Sequence, residues 1–347
     1  MSAPVVNTPL NPYAVLHATL DGPGDMRPSA MHVIRDGKLI NAWPERNILV
    51  TGASAGLGLE TARALHATGA TLYLGVRDAT KGEAAKTDIL SHSPGRGEIR
   101  LLELDLASLA SVRAAAASLL ERSGGRLDIL VNNAGIMATP EAHTADGFEL
   151  QLGTNYLGPF LLTALLVPAL QAAATPARAS RVVNLSSRSH LTHSCGQIDL
   201  SDLGWQQRGY DAWAAYGASM TASILHANEL DRRLGTDAAH PVHGLSVNPG
   251  AVMTGLFRHL PPDQVAAYEA FRQVFKSPEQ GAATAVWAAC AAALEGCGQL
   301  YCEDCGVGSC APADGSGRKD RDYAPWAMGD TETEARLWAV SEGLVGL

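Results

Sequence analysis

Tyr216 and Met220 stand one helical turn apart in "YGASMTASILHANEL", a stretch patterned as a helix. A tyrosine can give a proton to a developing alkoxide or take one from an alcohol. Its ordinary pKa of about 10 is too high for a base near neutrality, so such a catalyst usually has a cation one turn further on that favours phenolate. Methionine carries no charge and no donor hydrogen. No Lys or Arg occupies positions 217, 219, 223 or 224 to act from a neighbouring place on the helix.

A second stretch speaks of nucleotide chemistry. "TGASAGLG", Thr51 to Gly58, follows an apolar strand-like run and opens a helical pattern, the context a dinucleotide fingerprint requires. Gly52 permits a tight turn. Gly56 and Gly58 let the backbone approach a pyrophosphate and let the helix pack close to a sheet, with Ser54 and Leu57 in the same loop. The helix N-terminus then offers free N–H groups to an anion. The alternative is a glycine-rich turn without a ligand. The next apolar run ends "LYLGVRD". An acidic tip would suit the ribose hydroxyl of NAD, whereas Arg77 suits a 2′-phosphate, so the expected cofactor is NADP. Otherwise Arg77 is solvated and Asp78 merely caps the next helix. Asp105, followed by Leu106, either accepts from an adenine amino group or caps the helix starting near Ser108. In "LVNNAG", Asn132 and Asn133 can tie strand ends together, while Ala134 and Gly135 leave room for a flat ligand.

The elements that must position these residues follow from the alternation. Runs such as "NILVT", "TLYLGV", "LDILVN", "RVVNLS" and "HGLSVN" alternate with longer helical segments. Near-continuous apolar strands separated by helices imply an α/β fold with a doubly wound parallel sheet of the Rossmann type, with ligands at the carboxyl ends of the strands. Residues 1–46, rich in Pro, Gly and Asn, read as an N-terminal extension that caps the rest or is partly disordered. A single domain, 47–347, follows, with substrate-loop insertions near 188–212 and 253–280. The 347 residues carry a net charge of −9, which excludes a phosphate-backbone partner such as nucleic acid. No basic leader precedes an apolar run at the N-terminus, and "FLLTALLVPALQAAA" is too short for a bilayer and contains Pro168. A soluble, cytoplasmic protein with no membrane partner is therefore expected. Cys297, Cys302, Cys305 and Cys310 lack the spacing of a structural zinc site, so no metal is expected. Trp287 and Trp338 read as core residues.

"TGASAGLG", "NNAG", "RVVNLSS", "YGASM" and "NPGAVMT", in this order, resemble the short-chain dehydrogenase/reductase family over about residues 46–310. "NPYAVLHATLDGPGD", "KSPEQGAATAVWAA", "LYCEDCG" and "RLWAVSEGLVG" resemble its fungal, retinol-dehydrogenase-like members. The resemblance implies an NADP(H)-dependent oxidoreductase, a carbonyl reductase or alcohol dehydrogenase, that moves a hydride between nicotinamide and a carbonyl or alcohol carbon, and the substrate expected is a mostly apolar secondary metabolite. Ser187 would hold the substrate oxygen, Tyr216 would be the acid or base, and Asn155 would hold a structural water. Asn133, Ala134 and Gly135 would line the cofactor site. Pro249 and Gly250 would lie beside the nicotinamide, with Val252 and Thr254 fixing its carboxamide. Family members often pair through the helices near 155–172 and 211–234, so a homodimer is an option unless the extended termini block it.

The family pattern places a lysine where this chain has Met220, and three accounts compete. The enzyme could still reduce a ketone, with Arg188, His190 or His193 as a substitute cation; reduction suffers less than oxidation because a neutral tyrosine still donates. The fold could instead run non-redox chemistry, as an isomerase, lyase or cyclase, or only bind the cofactor as a pseudo-enzyme. Or the methionine is an engineered stand-in for lysine that keeps length and removes charge. The insertion after Ser187 adds His190, His193, Trp205 and Tyr210 as candidates to shape the substrate pocket.

Overall fold

The computed structural model describes residues 7–192, 198–312 and 322–347. Its N-terminal extension contains a short 3-10 turn (Ala14–His17) and one helix, α1 (Ala30–Asp36), whose first turn is capped by Ser29. The regular alternation then begins with β1 (Asn47–Thr51), α2 (Gly56–His66), β2 (Thr71–Val76), α3 (Ala79–His92), β3 (Ile99–Glu103), α4 (Leu109–Arg122) and β4 (Ile129–Asn132). A crossover through α5 (Leu150–Leu152), a π-helical turn (Gly153–Leu157) and α6 (Gly158–Ala173) leads to β5 (Ser180–Leu185). The short α7 (Ser189–Thr192) and the long α8 (Ala212–Leu234) precede β6 (Val242–Asn248). Then come α9 (Pro262–Glu269), α10 (Pro278–Gly281), α11 (Ala283–Cys290) and β7 (Leu300–Glu303). β8 (Gly306–Val307), β9 (Ser309–Cys310), β10 (Asp322–Tyr323) and α12 (Thr331–Val345) finish the chain.

The main sheet runs β3-β2-β1-β4-β5-β6-β7-β8, with every pair parallel except β7–β8. This is the doubly wound sheet that the alternation implies. Strand order reverses between β1 and β4, and that reversal opens a crevice at the strands' carboxyl ends. The strands are apolar on both faces because both are covered. Along β1, Ile48 and Val50 pack to one side with Leu72 and Leu74, under α1, α2 and α11, while Leu49 packs to the other with Tyr73 and Leu130, under α4 and α6. Each such side chain is fully buried, and its burial is worth roughly 1.5–3 kcal/mol. Trp287 lies in the first layer and Trp338 in the second, so both are core residues as expected.

One expectation needs correction. The apolar stretch around Phe160 is not short: the helical run Leu150–Ala173 spans 24 residues, because the π turn continues it backwards through Asn155. By length and composition alone it could cross a membrane, and what marks it as a core helix is that 67% of its apolar window is buried. Of the two readings of the extension, its described residues, 7–46, take the first and cap distant parts of the chain. The extension lacks a period because its partners are distant: Gly22 N donates to Gln273 O at 3.1 Å, and Val307 N donates to Leu10 O at 3.0 Å. At the other end, α12 packs on α8 and α6, where Tyr156 Oη and Ser341 Oγ lie 2.6 Å apart.

Candidate active site

A cleft of about 350 Å³ runs along the carboxyl ends of the central strands. Its first half is made of backbone. Gly52 has φ +68°, and a Cβ there would come within 2.8 Å of Ala134 Cα. A Cβ on Gly58 would run into the Gly52 carbonyl, and Gly56 has φ +55°. Each glycine is thus required by a close approach or a left-handed turn. Ala55, the N-cap of α2, makes no side-chain cap, so the helix's first N–H groups remain for an anion in the cleft. Ser54 and Leu57 line the same floor. The residues present therefore fit a dinucleotide's pyrophosphate.

At the far end of this half, Arg77 is exposed and lines the cleft. Asp78 caps α3, accepting from Lys81 N at 3.1 Å, so the two neighbours have separate tasks. Asp105 and Leu106 also line the cleft. Asp105 is not the cap of α4: Ser108 is, accepting from Ser111 N at 3.3 Å, while Asp105 Oδ1 accepts from Ala107 N at 3.0 Å. Asn132 Nδ2 donates to Asn184 Oδ1 at 2.9 Å, and Asn133 Nδ2 donates to Thr51 O at 2.8 Å. These bonds join β4 to β5 and to β1, and leave Asn133, Ala134 and Gly135 along the cleft.

The second half is made of side chains. Tyr216 and Met220 line the cleft from the first turns of α8, and each is only 5% exposed. The Tyr216 hydroxyl hydrogen-bonds with Ser187. Ser187 Oγ also donates to Ser189 Oγ at 3.2 Å, and Ser186 Oγ donates to the Met220 carbonyl at 3.0 Å. Asn155 sits in the π turn, where the widened backbone presents its carboxamide inward. Its Oδ1 accepts from Ile136 N at 2.8 Å, and its Nδ2 donates to Ile136 O at 2.9 Å and Ser219 Oγ at 3.0 Å. Asn155 therefore ties the loop after β4 to α8, with one Oδ1 lone pair left for the water that the resemblance assigns to it. Pro249 and Thr254 line the cleft; Gly250, at φ +81°, and the buried Val252 stand behind them.

Burial pushes the Tyr216 hydroxyl up to about 12, and the hydrogen bond with Ser187 only partly opposes this. Among the described residues, no cation acts on it there. The charge of Arg188 bears instead on Tyr301 and Glu303. His190 is fully buried; its Nε2 accepts from Ala324 N at 3.0 Å, so the proton sits on Nδ1, which donates to the Ser187 carbonyl at 2.6 Å. That is a neutral imidazole, not a substitute cation. His193 lies outside the described residues. Met220 packs with Met137, Ala138, Tyr216 and Leu260, so an apolar wall stands where a charge was expected.

Trp205 and Tyr210 are not among the residues that line the cleft. Their rings meet edge to face at 6.0 Å, and Tyr210 Oη accepts from Gln151 Nε2 at 2.9 Å, which fastens the insertion to α5. Of the cysteines, Cys302 and Cys305 are buried in the core, and among the described residues no three His, Cys, Asp or Glu side chains gather at one point. Two residues near the cleft escaped sequence reasoning. Arg258 lines it beside Thr254. Lys276, 5% exposed, donates from Nζ to the Pro249 carbonyl at 3.1 Å. Lys276 opens the stretch "KSPEQGAATAVWAA", but nothing local marks a lysine as buried, and Arg258 stands in none of the motifs above.

The short chain dehydrogenase family model matches residues 46–198. A protein of Penicillium rubens named short-chain dehydrogenase/reductase prx1 is 44% identical over 330 residues, covering 94% of this chain and 93% of its own. Human retinol dehydrogenase 13 is 39% identical, covering 88% and 86%. Among solved structures, the Pseudomonas aeruginosa RhlG/NADP active-site complex superposes with a TM-score of 0.59 at 28% identity, covering 74% of this chain and 94% of that one.

Proposed function

The chain belongs to the short-chain dehydrogenase/reductase family, with fungal and retinol-dehydrogenase-like relatives, and from that premise we propose that it is an NADP(H)-dependent carbonyl reductase acting on a mostly apolar metabolite. The observation that carries this is the buried Tyr216 hydroxyl, hydrogen-bonded to Ser187 at the end of a glycine-floored cleft, with no cation among the described residues acting on it.

A bound nicotinamide supplies the hydride. The chain's own residues do the rest. Ser187 and Tyr216 hold the carbonyl oxygen through two hydroxyls. As the carbon takes the hydride and the C=O π bond breaks, charge gathers on that oxygen, and Tyr216 gives it a proton to complete the alcohol. A phenol with its pKa near 12 remains a good acid toward an alkoxide, which is a far stronger base. It is a poor base toward an alcohol, because only about one molecule in ten thousand is phenolate at pH 8. The missing cation therefore costs oxidation far more than reduction. Met220, Met137 and Leu260, with the flanking Trp213 and Phe257, favour an apolar substrate. NADP is favoured by the exposed Arg77 beyond Gly75 and Val76, where no carboxylate ends β2 to receive a ribose hydroxyl. The NADP in the RhlG complex is consistent with that choice. Non-redox chemistry rests on Met220 alone, whereas the nucleotide half keeps each of its glycines.

The test is titration with NADPH and NADH followed by a screen of apolar ketones with 4-deuterated cofactor. Tighter NADPH binding and deuterium at the carbinol carbon are expected. Product without deuterium, or no binding of either cofactor, would overturn the assignment.

A further inference from the structure

A buried polar chain joins the N-terminal extension to the nicotinamide end of the cleft, and the proton relay uses none of it. Lys276 is at its centre. A buried ammonium is costly unless paired, and Lys276 Nζ donates to Asp304 Oδ1 at 2.6 Å as well as to the Pro249 carbonyl at 3.1 Å. Its backbone N donates to the Ala251 carbonyl at 2.8 Å, and it bridges to Val252 as a strand partner would. One residue thus holds the segment 249–252, which leads to Thr254 at the cleft wall. The approach is close: a Cβ on Gly250 would stand 2.9 Å from Nζ, which is why a glycine at φ +81° is needed there.

Lys276 is itself held from the extension. Arg27, 4% exposed, donates from Nη1 to the Val274 carbonyl at 2.9 Å and from Nη2 to the Phe275 carbonyl. Gln280 accepts from Gly24 N at 2.9 Å and donates to the Arg27 carbonyl at 3.0 Å. His17 Nε2 lies 3.6 Å from Asp304 Oδ1. These contacts lie far apart in sequence, and together they fasten the extension to the strand of chain that carries Lys276.

We propose that residues 17–27 and Lys276 form a brace that positions the nicotinamide-facing segment 249–254, which makes the extension part of the cofactor site without touching cofactor. The brace rests on the nicotinamide assignment above. Asp304 balances the ammonium, so Lys276 is a positioning residue and does not replace the charge absent at Met220.

The experiment measures binding of NADPH and, separately, of adenosine 2′,5′-bisphosphate, which lacks the nicotinamide half, to the full chain and to Lys276→Met and Arg27→Met. Lys276→Met is expected to weaken NADPH about tenfold and to shift the emission of bound nicotinamide, with bisphosphate affinity unchanged. Arg27→Met acts from the remote end and is expected to give the same selective loss, about threefold. Should Lys276→Met fail to fold, Arg27→Met decides alone. Equal loss for both ligands would reduce the brace to a fold contact, and unchanged NADPH binding and emission would remove it; either result overturns the proposal. If the unaltered chain binds neither NADPH nor NADH, the nicotinamide assignment falls, and the brace with it.

Discussion

The two halves of the cleft are built from different materials. The nucleotide half is backbone: three glycines, an uncapped helix end and two asparagines that bind strand ends together. Several positions share each task, and a side chain on Gly52 or Gly58 would collide with its neighbours. The proton-transfer half is side chain, and its protonation state hangs on what stands one turn from Tyr216. Met220 fits that turn, packs well and leaves the fold intact, yet it leaves burial to push the tyrosine up to about 12. The backbone cradle thus tolerates little change at its glycines, whereas position 220 accepts a methionine without loss of packing.

The contrast breaks most sharply at Tyr216. Tyr216→Phe removes the acid without touching the nucleotide half, so ketone reduction should fall about 10²–10⁴-fold while NADPH affinity stays the same. Steady-state turnover and calorimetry read the two sides; unchanged turnover would remove Tyr216 from the chemistry. Met220→Lys sharpens the same point in the opposite direction. An ammonium within about 4–6 Å lowers a neighbouring acid by roughly 1–3 units, so alcohol oxidation at pH 8 should rise at least about tenfold. No gain would mean that the apolar wall of Met137 and Leu260 has replaced the relay rather than merely lost it.

Arg77→Ser tests the other half alone. Losing a charge-assisted contact should cost NADPH about tenfold and leave NADH nearly unchanged, with Tyr216 chemistry intact. A smaller effect concerns stability. His226 is buried among Phe160, Tyr156 and Trp338, and burial lowers it to about 3. Its folded value lies below the ordinary 6.5, so the unfolded chain binds the extra proton first, and stability falls as pH drops from about 6.5 toward 3. His226→Gln should flatten that acid limb in denaturant titrations at pH 7, 5 and 4; an unchanged slope would place the acid sensitivity elsewhere.

Much of this was legible in the sequence because it is local. Alternating apolar runs gave away the parallel sheet, and the glycine loop was readable from its place between a strand and a helix. The Asn132 and Asn133 ties followed from their position at a strand end. What escaped depends on partners far along the chain. His190 reads as a possible cation until Ala324, 134 residues later, donates to it and fixes the neutral tautomer. Tyr210 is a candidate pocket residue by sequence, and its bond from Gln151, 59 residues earlier, is invisible there. The extension reads as a cap or as partly disordered because Pro and Gly give no period, and the cap shows only through Arg27, which binds carbonyls some 250 residues away, at Val274 and Phe275. That the helix reaches back through Asn155 is hidden in the sequence because a π turn leaves no period of its own.

The central claim is that Tyr216 works as a neutral acid with no cation among the described residues acting on it. The most direct measurement is the pH dependence of single-turnover deuteride transfer, in both directions, with one apolar ketone and its alcohol. Reduction should be flat from about pH 6 to 9, and oxidation should rise tenfold per pH unit with no plateau below about 11, as a hydroxyl titrating near 12 demands. An oxidation plateau near neutral pH would show that a charged group does act on Tyr216, and would contradict the account.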